Sequence, residues 1–211
     1  MSKEFVYIIS PVRQVTEEQA AKIAEHAGLL REQDVRIFNP VEDAPQDDAT
    51  GYNIVMAELG FMYKAAQQGG RVDILWNVGG KSSEGSRVDV GIAIALGLKL
   101  NLVAVFNDDA PVGPQETYRI IQNVDTTKSV NKLRGMLRQV EQAGEVVIDW
   151  DIEMSGERQE WQRIRLGLAL GCMAKKPDFK IKLGKLRGID LPDKKSYPKV
   201  IKEIERRNRA N

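Results

Sequence analysis

The sequence predicts an α/β fold in which a doubly wound, Rossmann- or flavodoxin-like parallel sheet is covered by helices on both faces. Short β-branched and aromatic runs alternate with segments whose apolar residues recur at helical spacing. The connections are short, and strand–helix–strand order with short connections is typical of parallel strands joined by right-handed crossovers. The predicted strands are 5–9, 35–38, 72–76 and 100–106, and the helices between them are 16–33, 52–68 and 88–98.

Local signals support the boundaries of these elements. Thr16 followed by Gln19 is a capping-box pattern that starts the first helix. Residues 41–51 are acidic and contain proline and glycine, so they are predicted to form a loop. The segment 88–98 is apolar on almost every side, which predicts a helix that is mostly buried.

The second part of the chain is less regular. Residues 118–124 are a possible fifth strand, and 127–143 form an amphipathic pattern that ends at Gly144. We therefore divide the chain into an α/β domain, 1–144, and a C-terminal α+β extension, 145–211, that packs on the first domain or stands apart from it.

A short pattern occurs twice. The segment 146–150 ends in tryptophan and is followed by a glycine-rich apolar helix and the strand-like segment 179–183, as in the region 72–106. Arg165 then stands where the earlier region has Asp89, so chemistry that depends on this carboxylate would be absent from the later region. Two interpretations remain open: chance similarity of two strand–helix–strand units, or an internal repeat.

Composition excludes several classes of protein. With 42% apolar and 29% charged residues the chain is predicted to be globular, and its one cysteine and one histidine exclude a disulfide framework and a Cys/His zinc site. No apolar run is long enough to cross a bilayer, and the first residues do not resemble a signal peptide. We expect a cytoplasmic protein that needs no cofactor or metal.

The net charge of +1 is the sum of two unlike regions. Residues 175–211 hold 13 basic and 5 acidic residues, and residues 1–174 hold 18 basic and 25 acidic residues. A net charge of +8 on the tail, residues 175–211, is compatible with binding to nucleic acid or with docking on the acidic body, residues 1–174. The tail contains no nucleic-acid-binding motif.

Ligands of doubly wound sheets bind beyond the carboxyl ends of the strands, which points to the predicted loops 10–15, 39–51 and 77–87. The last of these is rich in serine and glycine and enters a buried helix, with Ser83, Ser86 and Arg87 close to the helix start. Free backbone N–H groups, hydroxyls and a guanidinium can hold a phosphate. The alternative is that the serines cap the helix and Asp89 only complements its dipole.

The same residues resemble the nucleoside 2-deoxyribosyltransferase family, which includes the 2′-deoxynucleoside 5′-phosphate N-hydrolases. The resemblance covers about residues 4–106 and consists of a strand with Asp73, a Ser-x-Gly turn at 83–85, and a carboxylate-x-Gly-x-Ala helix at 89–93. The segments Tyr7–Pro11 and Phe38–Pro40 are also similar to the ends of the family's first two strands. The resemblance implies a nucleoside-deoxyribosyltransferase-like α/β fold and cleavage or transfer at the N-glycosidic bond of a deoxynucleoside or its monophosphate.

The resemblance also implies roles for single residues. Asp89 takes the place of the nucleophile, Asp73 that of the carboxylate that handles the base, and Tyr7 that of the tyrosine that orients the nucleophile. The family nucleophile is usually glutamate, and Asp89 is shorter by about 1.5 Å. The family's sites are often shared between subunits, which makes a homodimer plausible. The substrate-binding residues implied are Ser10, Pro11, Arg13, Ser83, Glu84, Gly85, Ser86 and Arg87.

Several other residues have side chains that could take part in catalysis or metal binding, but we expect them to have structural roles. We expect His26 to serve packing or to lie at the surface, and Glu58 to lie at the edge of the apolar row of its helix. The acidic loop with Asp43, Asp47 and Asp48 is expected to be solvated rather than to bind Mg²⁺. Alternatives to an enzyme are a nucleotide-sensing or nucleotide-binding module without turnover and a nucleic-acid-associated protein.

Overall fold

The computed structural model describes residues 4–12, 15–44, 51–77, 84–106, 128–148, 160–176 and 178–183. The strands are β1 (Phe5–Ile9), β2 (Arg36–Phe38), β3 (Arg71–Asn77), β4 (Lys99–Phe106), β5 (Glu145–Ile148) and β6 (Lys180–Leu183). The helices are α1 (Glu17–Glu32), α2 (Pro40–Asp43), α3 (Tyr52–Gln67), α4 (Glu84–Leu96), α5 (Lys128–Ala143) and α6 (Glu160–Lys175).

The first four strands form a parallel sheet in the order β2-β1-β3-β4, as the predicted α/β class requires. The chain moves from β1 to β2 on one side and then crosses to β3 on the other side of β1. The carboxyl ends of β1 and β3 therefore flank the point at which the strand order reverses, where open α/β sheets bind their ligands. This Rossmann-like arrangement confirms the predicted parallel sheet flanked by helices.

The two faces of the sheet are covered by different helices. Alternate residues of each strand point to opposite faces. Val6 and Ile8 pack with α1 residues, whereas Tyr7 and Ile9 belong to the cluster that includes α3 and α4. The side to which a strand residue points thus decides which helices it can meet.

Several predicted boundaries are confirmed, and one loop is corrected. The Thr16 hydroxyl accepts a hydrogen bond from the Gln19 N–H at 3.2 Å, which completes the predicted capping box of α1. Residues 41–43, predicted as loop, belong instead to the short helix α2. Its start is stabilised because the Asn39 side chain accepts a hydrogen bond from the Val41 N–H and because Pro40 stands in the first turn.

The described residues 145–148, 160–176 and 178–183 form a strand–helix–strand unit, in the order that the repeated sequence pattern predicts. The strands are parallel, which corrects the α+β class expected for these residues. Strands β5 and β6 pair in parallel, and α6 connects them. Helix α6 packs closely against α4, and its apolar residues belong to the same core cluster as α3 and α4. The boundary at 144/145 stays a prediction, and the possible strand 118–124 lies outside the described residues.

In the part of the chain that the structure describes, no helix has both the length and the apolar character needed to span a bilayer. The cytoplasmic location stays a prediction.

Candidate active site

Three buried side chains that can exchange protons meet between the sheet and its helices. They are Tyr7 of β1, Glu58 of α3 and Asp89 of α4, and each is at most 4% exposed. Each is electrostatically coupled to the other two, and hydrogen bonding within the group contributes to the pKa of all three. The predicted pair of Tyr7 and Asp89 is therefore brought together, with Glu58 added.

Aromatic packing fixes the position of Tyr7. Its ring stacks on Phe38 with centroids 5.4 Å apart and is tilted against Phe61 at 6.3 Å. Because Tyr7 lies in the middle of β1 on the face that α3 and α4 cover, its hydroxyl points towards those helices. The strand and the aromatic cluster thus hold the phenol rigidly beside the two carboxyl groups.

Burial shifts the protonation of all three groups in the same direction. It raises the pKa of Asp89 to about 7, while hydrogen bonding from Glu58 and Tyr7 opposes that rise. Burial, and then the negative charge of Asp89, raises the pKa of Glu58 well above its ordinary value. Burial and the two nearby carboxylates likewise raise the pKa of Tyr7. Near neutral pH this pattern favours a protonated Glu58 beside an Asp89 that is close to its midpoint.

One oxygen of Asp89 is left free in this arrangement. Oδ1 of Asp89 is buried and has no hydrogen-bond partner among the described residues. The Tyr7 hydroxyl also lacks a partner of full hydrogen-bond geometry there, so its interactions with the two carboxyls are long or poorly aligned. A carboxylate with one supported and one free oxygen can attack an electrophile or accept a proton.

Asp73, to which the resemblance gives the role of the carboxylate that handles the base, does not belong to this cluster. It is the third of seven residues in β3, and it pairs in register with Ile8, whereas Tyr7 pairs with Val72. Neighbouring residues of one strand point to opposite faces, so Asp73 lies on the α1 side of the sheet. A sheet layer separates it from Asp89.

On that side Asp73 is surrounded by hydrogen-bond donors. His26 Nε2 lies 3.0 Å from Oδ2, Arg71 Nε donates to Oδ1 at 2.9 Å, and Asn101 Nδ2 donates to the same oxygen at 3.1 Å. Asp73 is 1% exposed. His26, expected to serve packing or to lie at the surface, is thus a partly buried partner that connects α1 to the sheet.

Part of the predicted anion-binding set lies together at the carboxyl ends of β1 and β3. Ser10 follows β1, and its carbonyl accepts a hydrogen bond from the Ser86 hydroxyl at 3.5 Å. The Arg87 guanidinium lies 5.9 Å from the centre of the Trp76 ring. Pro11 is buried next to Ser10, and Gly85 lies in the first turn of α4. Arg13, Ser83 and the side chain of Glu84 lie outside the described residues.

The prediction missed Glu58, because an edge position was expected for it and the structure buries it. The helical pattern of α3 contained the signal, since Val55, Leu59 and Met62 surround Glu58 on the helix and are all buried. A carboxylate within such an apolar row is costly unless it has partners.

The remaining candidate residues that the structure describes, Asp43 and Cys172, have neighbours that indicate a structural role. Asp43 accepts a hydrogen bond from the Asn39 N–H at 2.7 Å, whereas Asp47 and Asp48 lie outside the described residues. Among the residues that the structure does describe, no group of three histidine, cysteine or acidic side chains could hold a metal ion. Cys172 is buried, and burial raises the pKa of its thiol to about 11, so it is not a thiolate at neutral pH.

Comparisons with known proteins add no relative: no family model, curated protein or solved structure matches this chain. Function must therefore be inferred from the residues of the site.

Proposed function

We propose that this chain is an enzyme that cleaves or transfers the N-glycosidic bond of a deoxynucleoside or deoxynucleoside 5′-monophosphate, with Asp89 as the nucleophile. The observation that carries the proposal is the buried group of Tyr7, Glu58 and Asp89. Reactions at a glycosidic carbon pass through a centre of developing positive charge, which a carboxylate stabilises and then bonds to.

In the proposed reaction the free oxygen of Asp89 forms a bond to the anomeric carbon while the bond from that carbon to the base breaks. The base leaves with the electron pair and takes up a proton. Water or a second base then attacks the same carbon and releases the carboxylate of Asp89. The protonated Glu58 carboxyl and the Tyr7 hydroxyl orient the nucleophile and limit its protonation.

The substrate's charge is suggested by the residues beside the cluster. Ser86 and Arg87 lie in the first turn of α4, where free N–H groups and the helix dipole favour an anion. The resemblance to the N-hydrolases gives this turn a 5′-phosphate. Together these features favour a nucleotide over a free nucleoside.

The test is release of free base. We expect the chain to release base from at least one member of a panel of deoxynucleosides and their 5′-monophosphates, measured by chromatography. Asp89→Asn should lower the rate by about 1,000-fold or more, because the nucleophile is lost while the shape of the side chain is kept. Its affinity for the substrate should stay close to that of the unchanged chain.

Asp73→Asn is the matched control, because it neutralises a buried carboxylate on the opposite face of the sheet. A folded Asp73→Asn chain should keep the activity. Equal rates for the Asp89→Asn variant and the unchanged chain would refute Asp89 as nucleophile.

A nucleotide-binding module without turnover is the second candidate, and the 4% exposure of Asp89 favours it. Binding of a monophosphate without any release of base would establish this alternative.

A further inference from the structure

Trp76 is a fully buried side chain whose hydrogen-bond donor is unused. It is the sixth residue of β3, its exposed fraction is 0%, and its indole Nε1–H has no acceptor among the residues that the structure describes. Buried polar groups of folded proteins nearly always have a partner, so this exception calls for an explanation. A phenylalanine would fill much of the same space without leaving a donor unsatisfied.

Trp76 lies on the same face of the sheet as the candidate active site. It follows Val72, the register partner of Tyr7, by four residues, and residues an even number apart on a strand point to the same face. Trp76 and Tyr7 also belong to one core cluster with residues of α3 and α4. Because Trp76 comes later in its strand, it lies between Tyr7 and the carboxyl edge of the sheet, where open α/β sheets bind ligands.

The indole ring packs against the first turn of helix α4. The guanidinium carbon of Arg87, the fourth residue of α4, lies over the ring at 5.9 Å from its centroid. This contact occupies a face of the ring, whereas the indole N–H lies in the ring plane and points outwards from its edge. The first N–H groups of a helix have no partner within the helix, and the helix dipole makes this end positive. An acceptor beside Trp76 is therefore favoured when it is negatively charged.

A second unused donor borders the same turn. The Ser10 hydroxyl is buried, at 4% exposure, and has no partner among the described residues. The backbone carbonyl of Ser10 accepts a hydrogen bond from the Ser86 hydroxyl at 3.5 Å, so Ser10 is adjacent to the start of α4. The ends of β1 and β3 thus each bring a buried donor without an acceptor to this helix end, as a site for a ligand rich in acceptor oxygens requires.

We propose that Trp76 is a substrate-binding residue whose indole N–H donates a hydrogen bond to a phosphate oxygen of a nucleoside monophosphate. The oxygens of a phosphomonoester dianion only accept hydrogen bonds, so they match groups that donate, and their charge suits the N-terminal end of α4. The choice of a nucleotide rests on the proposed function, whereas binding at Trp76 does not depend on turnover. A sugar hydroxyl is the alternative acceptor, and the test separates the two.

Trp76→Phe tests the N–H, because phenylalanine keeps a buried aromatic ring in β3 and removes the donor. Calorimetry at constant ionic strength measures binding of inorganic phosphate, of deoxynucleoside 5′-monophosphates and of the corresponding deoxynucleosides. We expect the variant to bind phosphate and the monophosphates about tenfold more weakly, since a hydrogen bond to a charged acceptor is lost. Its affinity for the deoxynucleosides should change by less than about twofold.

Phe106→Leu is the matched control for the loss of buried aromatic volume. Phe106 ends β4 at the same edge of the sheet and is 4% exposed, but it packs with Val6 and Ile8 on the face that α1 covers. This substitution should lower the stability of the fold and change each affinity by less than about twofold.

A measurement on the unchanged chain replaces the variant if Trp76→Phe does not fold. The chain has three tryptophans, so isotope-labelled indoles give three N–H resonances, which Trp150→Phe and Trp161→Phe assign by elimination. The Trp76 N–H proton resonance should move downfield as a monophosphate is added, because the proton gains an acceptor. The shift should saturate with the affinity that calorimetry gives.

Equal affinity of the unchanged chain and a folded Trp76→Phe variant for the monophosphates would overturn the inference, as would absence of phosphate binding by the unchanged chain. A Trp76 resonance that does not move at saturating monophosphate would overturn it as well. Equal losses of affinity for deoxynucleosides and monophosphates would place the acceptor outside the phosphate and refute the assignment. Failure of the proposed function would appear differently, as binding of monophosphate that depends on Trp76 without release of base.

Discussion

Asp73 and Asp89 are both buried carboxylates, and their neighbours give them different uses. His26, Arg71 and Asn101 surround Asp73 with donors, which anchor its carboxyl group between α1 and the sheet. Asp89 has instead a second carboxyl and a phenol beside it. We therefore expect Asp73 to have a structural role and Asp89 to be the more reactive of the two carboxyl groups.

The raised pKa values predict that the folded chain is less stable at alkaline pH. A carboxyl whose pKa is higher in the folded state than in the unfolded state stabilises the fold when protonated. This contribution is complete below about pH 4 and is lost as the pH rises through the folded value, about 7 for Asp89. The shift corresponds to at most roughly 4 kcal/mol, which is about 10 °C in Tm.

We therefore expect the Tm to fall between pH 5 and pH 8 in the unchanged chain and to fall much less in the Glu58→Gln/Asp89→Asn double variant. Thermal melts followed by circular dichroism at both pH values measure this. Equal slopes in the two proteins would contradict the assignment of these groups.

Asp73→Ala should destabilise the fold moderately. Its removal takes the acceptor from the partly buried Arg71 guanidinium and His26 ring, which costs about 1–2 kcal/mol in the free energy of unfolding. Urea unfolding measures this loss. Glu18→Gln is the control, because Glu18 pairs with Lys22 at the surface of α1 and its loss should leave the midpoint unchanged. If Asp73→Ala left the free energy of unfolding unchanged, the donors would be forming hydrogen bonds to water instead.

At the scale of the elements, local pattern was sufficient for the fold and insufficient for the site. The capping box of α1 and the β-branched run of β1 predict their structures because the causes lie within a few residues. The side of the sheet to which Asp73 points depends on strand register, and the burial of Glu58 depends on which helices pack against α3. Residues far away in the sequence determine both of these features. Asp89 and Tyr7 were found because the resemblance supplied this long-range information.

The apolar character of α4 on every side predicted burial but not its cause. Strand residues cover one side of the helix, and α6 covers another. The glycines at 167 and 171 contained the signal, since small residues four apart on a helix allow close approach of a second backbone.

Gly167→Ala should therefore destabilise the chain although alanine favours helices. Its β-carbon would overlap the carbonyl of Val88, and moving the two helices apart would cost about 3 kcal/mol or more. Gly135→Ala in α5 is the control, because a β-carbon there meets nothing within 4 Å. It should raise stability by about 0.5–1 kcal/mol through helix propensity. Similar effects of the two variants in urea unfolding would contradict close packing of α6 against α4.

For the molecule as a whole, the boundary at residue 174/175 between the acidic region and the basic region does not coincide with a boundary between structural units. The basic residues 175–183 include the end of α6 and the strand β6, which pairs with β5. Lys176 also lies 3.6 Å from Glu141 of α5. Part of the basic segment therefore belongs to the C-terminal strand–helix–strand unit. The segment 184–211, with 9 basic and 4 acidic residues, lies outside the described residues.

Two truncations separate these roles. A chain that ends at residue 183 keeps β6, so the difference between its Tm and that of the full chain measures what the segment 184–211 contributes to stability. A chain that ends at residue 174 loses Phe179 and Ile181, both buried, and leaves β5 unpaired. Burial of two such side chains contributes about 3–6 kcal/mol, so its Tm should fall by about 10 °C or more. If the tail binds nucleic acid, the chain that ends at 183 should lose salt-dependent binding to DNA, and binding that persists in it would exclude the tail as the site.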